Sequence, residues 1–472
     1  MKNHTTKIVA IVILITTFLS CKVSKDIEVP KDAFPDNFRS ASASGDTTSI
    51  ANIEWKNFFT EKDIVKLIDS AITKNNDLQI ASKNIEIAHY QLTQAKWGNI
   101  PEANLFVNVS SNRPSENSFN GINLNQALNE KHIEDYSAGI GLSWEADIWG
   151  KIRSQKKGAY AGYLQSEEVK KALQTTIVSN VSKGYYNLLM LDSQLEIAKK
   201  NLQLNDSTTN IIKLKYDAGQ VSSLAIQQSE AQKLTAAQLI PLLEQNIAIQ
   251  ENALSVLTGS FPSSKERTIT LNSIQLKENL TTGIPSSLVR QRPDVKNAEL
   301  VLLKANANVG ITKASLYPSL KITASGGLNS FATSNWFNIP ASLFGTALGG
   351  LTQPLLNSKK IRTQYNIAKA EREKAVLNFR QSVLIAVSEV SDALVKIEKL
   401  ERQHFFIKER VKTLQQAIKN SNMLFKNGMA DYLEVITAQA NMLQSELELA
   451  NIKREQLTAN IELYRSLGGG WR

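Results

Sequence analysis

The sequence predicts a mainly helical fold that also carries β-hairpins suited to a membrane barrel, and three observations lead there. Two long stretches, Leu355 to Asn427 and Met429 to Leu467, contain neither glycine nor proline. The chain repeats itself at a fixed spacing of 209 residues. In each copy a proline is followed by alternation of apolar and polar residues, the period of a strand. Composition agrees: 42% hydrophobic and 21% charged residues belong to an ordered chain, and 7% aromatics with 11 prolines in 472 residues favour helix over an all-β architecture.

At the N-terminus, Lys2 and Lys7 precede an apolar run from Ile8 to Ile15, followed by Thr16, Thr17, Phe18, Leu19, Ser20 and Cys21. The run is too short to span a bilayer, and residues 1–20 read as a signal peptide. Cys21 is the only cysteine, and it follows the small residue Ser20 where cleavage would occur. This resembles a bacterial lipobox, in which the new N-terminal cysteine is acylated, so residues 21–60 are expected to be a lipid-anchored segment. The alternative is an incidental thiol near an ordinary cleavage site. A lone cysteine excludes an intramolecular disulfide and a Cys-rich metal site. The formal charge of +10 is spread through helical faces in which lysines and arginines interleave with acids, a solvated surface rather than a nucleic-acid footprint.

The repeat sets the domain plan. The 209 offset links Gly219 to Gly428, Gly259 to Gly468, Leu254 to Leu463, and Lys151, Ile152 and Arg153 to Lys360, Ile361 and Arg362. Upstream, Asp77 matches Asp294 and Pro101 matches Pro318 at 217. Eight extra residues in the first copy therefore lie between Pro101 and Gly141, where the polar stretch Asn112 to Asp135 reads as a long loop.

Before each proline an Ala-rich amphipathic segment, Leu78 to Trp97 or Val295 to Leu316, predicts a helix. After it, Leu105, Val107 and Val109 alternate with Phe106, Asn108 and Ser110, and Leu320, Ile322 and Ala324 alternate with Lys321, Thr323 and Ser325. Second strands follow around Ile140 to Trp144 and at Gly345 to Gln353, giving one hairpin per copy. Small or polar residues alternating with apolar ones suit a wall with lipid on one side and a polar lumen on the other, and equally a half-exposed soluble hairpin.

The long segments come next. At about 1.5 Å per residue a helix from Ser358 to Lys412 would reach roughly 80 Å. Apolar residues recur at Val376, Phe379, Val383, Val387, Val390, Leu394 and Ile397, and again from Leu433 through Ile436, Leu443 and Leu457 to Tyr464. Spacings of three and four predict a coiled-coil seam, which a plain antiparallel coiled coil would also show. Pro241, opposite Ala450 in the repeat, predicts a local kink or break. Four strands cannot close a membrane barrel, because open edges leave backbone groups unsatisfied in lipid, so membrane-spanning hairpins require several chains to share one barrel.

Three segments carry a family resemblance: Glu145, Asp147, Trp149 and Gly150 followed by Lys151 and Arg153; Arg292, Pro293 and Asp294 with Ala298 and Glu299; and Leu467 to Trp471. Their order, the duplication and the lipid-anchor signal make the chain resemble the TolC family of outer-membrane efflux proteins over nearly its whole length, specifically its OprM-like (NodT-type) lipoproteins.

The resemblance implies a duplicated TolC-like protomer: a homotrimer whose long antiparallel helices form an α-barrel and whose four strands per chain contribute to a shared 12-stranded β-barrel. It divides the chain into repeat 1, residues 61–285 with a hairpin at about 103–146 and long helices at about 150–258, and repeat 2, residues 286–472 with a hairpin at about 318–353 and long helices at about 358–467. A mixed belt around the tunnel would use parts of Ile27 to Phe59, Ser260 to Pro285 and the C-terminal end. The function implied is an exit duct that passively conducts drugs and other small toxic compounds, served by a periplasmic membrane-fusion adaptor and an inner-membrane RND-type pump. The location implied is the outer membrane, anchored through Cys21. A duct for type I protein secretion and a structural coiled-coil spacer are the alternatives.

In such proteins the periplasmic tip is formed by the turns between paired long helices, here Tyr216 through Ser223 and Lys426 through Leu433. Asp217, Gly219 and Gly428 mark those tips, and glycine suits the tight reversal. Asp431 and Glu434, with Lys426 as a cationic neighbour, are the candidate gate, since like charges around a three-fold axis oppose closure. An ordinary helix cap is the alternative for Asp431. No enzyme is expected, and no cofactor. His89, His132 and His404 lie in separate elements, and HExxH, GxSxG and GxxxxGK[ST] are absent.

Overall fold

A computed structural model describes residues 25–28, 30, 38, 49–276, 282 and 291–472. The expected signal peptide and Cys21 lie outside the described residues. The elements are α1 (Trp55–Phe58), α2 (Lys62–Lys74), α3 (Asn76–Trp97), β1 (Glu102–Asn112), α4 (Phe119–Leu128), β2 (Ile133–Glu145), α5 (Lys151–Asp217), α6 (Ser223–Leu257), α7 (Pro293–Ala314), β3 (Ser319–Ser330), β4 (Leu343–Thr352), α8 (Lys360–Lys426) and α9 (Tyr432–Ser466). The fold is thus mainly helical, with two hairpins.

The elements obey the sequence offsets. Helices α5 and α8 each have 67 residues and α6 and α9 each have 35, starting 209 apart. Helices α3 and α7 each have 22 residues, 217 apart. Each long helix ends at a glycine of positive φ, Gly219, Gly259, Gly428 or Gly468, where a side chain would be strained. Among the described residues no helix is long and apolar enough to cross a membrane.

Two compact units make up the chain. One contains Glu86–Leu164 and Leu300–Leu377 and is built on a four-stranded antiparallel sheet in the order β1-β2-β3-β4. Its register sorts side chains into two faces. Leu105 pairs with Ile140, Ala103 with Leu142 and Trp144 with Ile322 on an apolar face, whereas Asn108 pairs with Ser137 and Ser325 with Thr346 on a polar one. Leu105, Val107 and Val109 are 63–79% exposed, so the apolar face is uncovered in the single chain.

One row of the polar face runs Phe106, Gly139, Gly327, Phe344. A Cβ on Gly327 would lie 2.1 Å from the Ala138 carbonyl oxygen and one on Gly139 2.5 Å from that of Gly326, so only glycine fits between the two edge phenylalanines. In the same unit, Asn306 clasps Ile27 by two hydrogen bonds, 3.1 Å from the Ile27 amide and 2.9 Å to its carbonyl.

The other unit contains Pro30–Ile85, Gln165–Glu299 and Asn378–Arg472. Ile64, Ile68, Tyr185, Leu188, Leu254, Leu271 and Tyr464 are fully buried in it. The Asp63 carboxylate accepts hydrogen bonds from the Thr268 amide (2.8 Å), the Thr268 hydroxyl (2.7 Å) and the Tyr185 hydroxyl (3.1 Å), which fixes the segment after α6 against α2 and α5. Burial pushes this carboxyl up, but the hydrogen bonds from Thr268 and Tyr185 outweigh it and hold the group below its ordinary range. Of the expected seam, Phe379, Val383, Val390, Ile436, Leu443, Leu457, Ile461 and Tyr464 are buried here and Val376 in the first unit, whereas Val387, Leu394 and Ile397 are half-buried and Leu433 is exposed.

Three local expectations need correction. Of the kink or break expected at Pro241, the break does not occur: α6 runs through it at the length of its glycine- and proline-free counterpart. Pro241 is exposed, so the carbonyl it leaves unpaired can turn to water. The stretch Asn112 to Asp135 is not all loop, since α4 lies within it, capped by the Ser118 hydroxyl accepting from the Gly121 amide at 3.1 Å, and β2 starts at Ile133. The fourth strand occupies Leu343–Thr352, two residues earlier at its start than the alternation suggested.

Candidate functional site

The two tip turns share one structure because their sequences place glycine at the same step. In the first, the Gly219 amide donates to the Tyr216 carbonyl and the Gln220 amide to Lys215, both at 2.8 Å. In the second, the Gly428 amide donates to Phe425 at 3.2 Å and the Met429 amide to Leu424 at 2.9 Å. Each is a Schellman closure in which the last helical carbonyls are satisfied and the chain reverses.

The turns meet in one apolar cluster. Ile212 and Ala225 from the first copy pack with Phe425, Val435 and Ile436 from the second, flanked by Val221 and Tyr432. Lys215 ties them further. Its ammonium donates to the Phe425 carbonyl at 2.8 Å and stands 4.5 Å from the centroid of that residue's ring. A cation at the C-terminal end of a helix also suits the helix dipole. This link was not foreseen, since it joins residues 210 apart and the repeat places Leu424, not a second lysine, at the matching position.

Of the residues singled out from sequence, Asp217, Gly219, Lys426, Gly428, Asp431 and Glu434 are all exposed at these turns. Asp431 is the N-cap of α9, and its carboxylate accepts from the Tyr432 amide at 2.7 Å. Glu434 lies in the first turn of the same helix. Asp431 thus makes the capping bond of the alternative reading and still presents a charged, solvent-facing carboxylate. Lys426 stands in the last turn of α8. Among the described residues neither Asp431 nor Glu434 has an ion pair. Leu224 and Leu433, equivalent in the repeat, are each 53% exposed, and Met429 is 68% exposed, so the tip also presents apolar surface.

The signature segments build junctions. Asp147 accepts from the Ile152 amide (2.8 Å) and the Arg153 amide (3.0 Å) and so caps α5. Trp149 donates its indole N–H to the Pro318 carbonyl at 2.7 Å and stacks on Tyr317 with centroids 4.8 Å apart. Arg292, 3% exposed, grips Asp294 through two hydrogen bonds (3.0 and 2.6 Å), donates to the Ser466 carbonyl at 2.8 Å and pairs with Glu389 at 2.7 Å. The C-terminal glycines pass through space that admits no side chain: a Cβ on Gly469 would stand 2.2 Å from the Tyr464 ring. Among the described residues no His, Cys, Asp and Glu group could hold a metal ion.

Residues 67–260 and 284–469 match the family model described as outer membrane efflux protein. The chain is 27% identical over 456 residues to the cation efflux system protein CusC of Escherichia coli O6:H1, covering 96% of each chain. It is 26% identical to the toluene efflux pump outer membrane protein TtgC of Pseudomonas putida, covering 97% of this chain and 94% of TtgC, and 26% identical to the probable outer membrane lipoprotein SilC of Salmonella typhimurium over 88% of both. A crystal structure of CusC matches with a TM-score of 0.84 at 25% identity, covering 95% of this chain and all of that one. CusC and TtgC are named as efflux proteins and SilC as an outer membrane lipoprotein, and none is named as an enzyme.

Proposed function

Because the chain belongs to the outer membrane efflux protein family, we propose that it is the exit duct of a tripartite efflux system, passing small toxic solutes outward from an inner-membrane RND-type pump and a periplasmic adaptor. The observation that carries this reading is the two-faced sheet. Edge strands β1 and β4 have 11 and 10 residues and no further strand partner among the described residues. An apolar face this exposed, ending in open edges, is stable in a membrane only when the edges close. Three chains closing edge to edge give a 12-stranded barrel with the polar face as its lining, and the paired helices continue it as a tunnel.

In this reading the tip turns are the periplasmic constriction, with Asp431 and Glu434 as carboxylates and Lys426 as a cation around its rim. Cys21 carries the lipid that tethers the chain to the outer membrane, a role supported by the apolar run before it and by the lipoprotein name of SilC. CusC and TtgC are named for cations and for toluene, so solute choice in this architecture is left to the pump.

Purification from outer-membrane fractions in mild detergent, followed by planar-bilayer recording, tests the reading. A heat-resistant trimer with single-channel conductance is expected, with acylated Cys21 as the N-terminal residue by mass spectrometry. A monomer without conductance overturns the duct, and an unmodified Cys21 overturns the anchor.

A further inference from the structure

Where α3, β2 and α5 meet, a cleft of about 510 Å³ is lined by Lys96, Asn99, Trp144, Asp147, Arg153 and Lys156 among others. We propose that this cleft binds the phosphate of a phospholipid headgroup, an inference that rests on the outer-membrane reading above.

The charges are arranged for an anion. Lys96 and Lys156 are exposed, and neither has an ion-pair partner among the described residues. The one acid, Asp147, spends both carboxylate oxygens on the Ile152 and Arg153 amides and on the Arg153 side chain at 3.3 Å. It therefore neutralises the start of α5 and leaves the two ammoniums uncompensated. The Arg153 side chain is itself 69% exposed and keeps donors free.

The surroundings are those of a membrane–water boundary. The Trp144 indole N–H donates to the Asn99 carbonyl at 3.0 Å, which holds the ring on the apolar face of the sheet at its helix-side end. Leu105 and Leu142 stand further along that face, 79% and 45% exposed, and Trp97 and Ile100, next in sequence to the lining residues Lys96 and Asn99, are 64% and 49% exposed. An apolar wall that ends in tryptophans and cations places a phosphate beside the ammoniums while acyl chains follow the wall.

The second copy is an internal comparison. Gln353 stands where Trp144 stands, and its amide donates to the Leu316 carbonyl at 3.1 Å, the counterpart of the Asn99 carbonyl. The joint is thus built twice. Lys313 and Arg362 repeat Lys96 and Arg153, but Tyr365 replaces Lys156 and Leu356, 99% exposed, replaces Asp147. The pair of uncompensated lysines next to tryptophan belongs to the first joint alone and is not needed to make the joint.

Native mass spectrometry of the full chain in mild detergent, titrated with phosphatidylglycerol, tests the site. The parent is expected to retain lipid, and the K96Q/K156Q double variant to bind it more weakly by about fivefold per lysine removed, while K313Q matches the parent. Equal retention by parent and double variant overturns the proposal. Inorganic phosphate that occupies the cleft as tightly as the lipid, read by phosphorus NMR with the same variants, overturns the lipid as source and leaves a free-ion site. Absence of the protein from outer-membrane fractions sinks the reading beneath the proposal; presence there with unaltered lipid retention sinks the site alone.

Discussion

Lys215 and Phe425, 210 residues apart in the chain, are joined twice: by a hydrogen bond from the ammonium to the backbone carbonyl at 2.8 Å and by the stance of the same ammonium 4.5 Å from the ring centroid. The contact fastens the turn of one copy to the helix end of the other. Lys215→Met keeps much of the apolar stem and removes both bonds, a loss of about 1 kcal/mol for this half-exposed contact. If the tip is the constriction, bilayer recordings of that variant show more frequent or longer openings than the parent. Unchanged gating would mean that the tip is held by its apolar cluster alone.

The candidate gate is testable because cap and charge can be separated at Asp431. Asparagine caps a helix about as well as aspartate, so D431N with E434Q leaves α9 intact and removes up to six carboxylates from a trimer. Block by trivalent cations applied to the periplasmic side is expected to weaken strongly, since a ring of carboxylates in a narrow neck binds such ions. Block as strong as in the parent would reduce Asp431 to its observed role as the cap of α9.

The glycine row makes a sharper structural prediction. Gly327→Ala puts a methyl within 2.1 Å of a backbone oxygen, whereas Gly345→Ala meets nothing within 4 Å. The first variant should lose heat-resistant oligomer on detergent gels and the second should keep it. Comparable oligomer in both would show that the sheet is looser than its register implies.

How much of this could be read beforehand depends on where the information sits. The long helices were legible because glycine and proline are absent from them and the seam repeats every three or four residues. The hairpins were legible because alternation at Leu105 to Ser110 and Leu320 to Ser325 is strict. Helix α4 was missed, since ten residues beginning Phe119, Asn120, Gly121 carry little amphipathic period and a glycine inside. A break at Pro241 does not occur, because one lost donor is a small loss against the rest of a 35-residue helix. The Lys215 link and the equivalent bonds from Trp144 to the Asn99 carbonyl and from Gln353 to the Leu316 carbonyl depend on contacts between distant residues, which one sequence does not encode locally. At Asp431 the sequence allows a cap or a gate residue, and the cap is what its geometry displays.

Arg292 gives a prediction in pH as well as in stability. Burial pushes the Asp294 carboxyl up, but the hydrogen bond and charge of Arg292 outweigh it and hold the group below its ordinary range. A depressed carboxylate contributes its full stability above its unfolded value of about 3.9 and loses it as pH falls through the lower folded value. The unfolding temperature of the parent should therefore fall on the acid side below about pH 4. Arg292→Ala strands Asp294 and the Ser466 carbonyl and leaves Glu389 with Arg465 alone, at 3.2 Å, at a cost of about 2–4 kcal/mol after allowing for the partial exposure of the acids. The variant should start less stable and show a shallower acid decline. An identical acid limb would mean that other carboxylates set it.

The matched 67- and 35-residue helices restrict how this protein can change its length. One residue added within α5 would rotate everything after it by about 100° and carry Ile212 out of the cluster it shares with Phe425 and Val435. A lengthened α5 would also overshoot an unlengthened α8, although both start just after strands of one sheet. Viable extension is therefore a paired event, the same increment in both copies and in their return helices, in steps such as seven or eleven residues that restore the buried stripe. Single additions survive only where no helix must keep step, and the eight residues by which the copies differ all fall between Pro101 and Gly141. Helix length and hairpin-loop size are thus set by separate kinds of mutation: tandem and rare for the former, single and frequent for the latter.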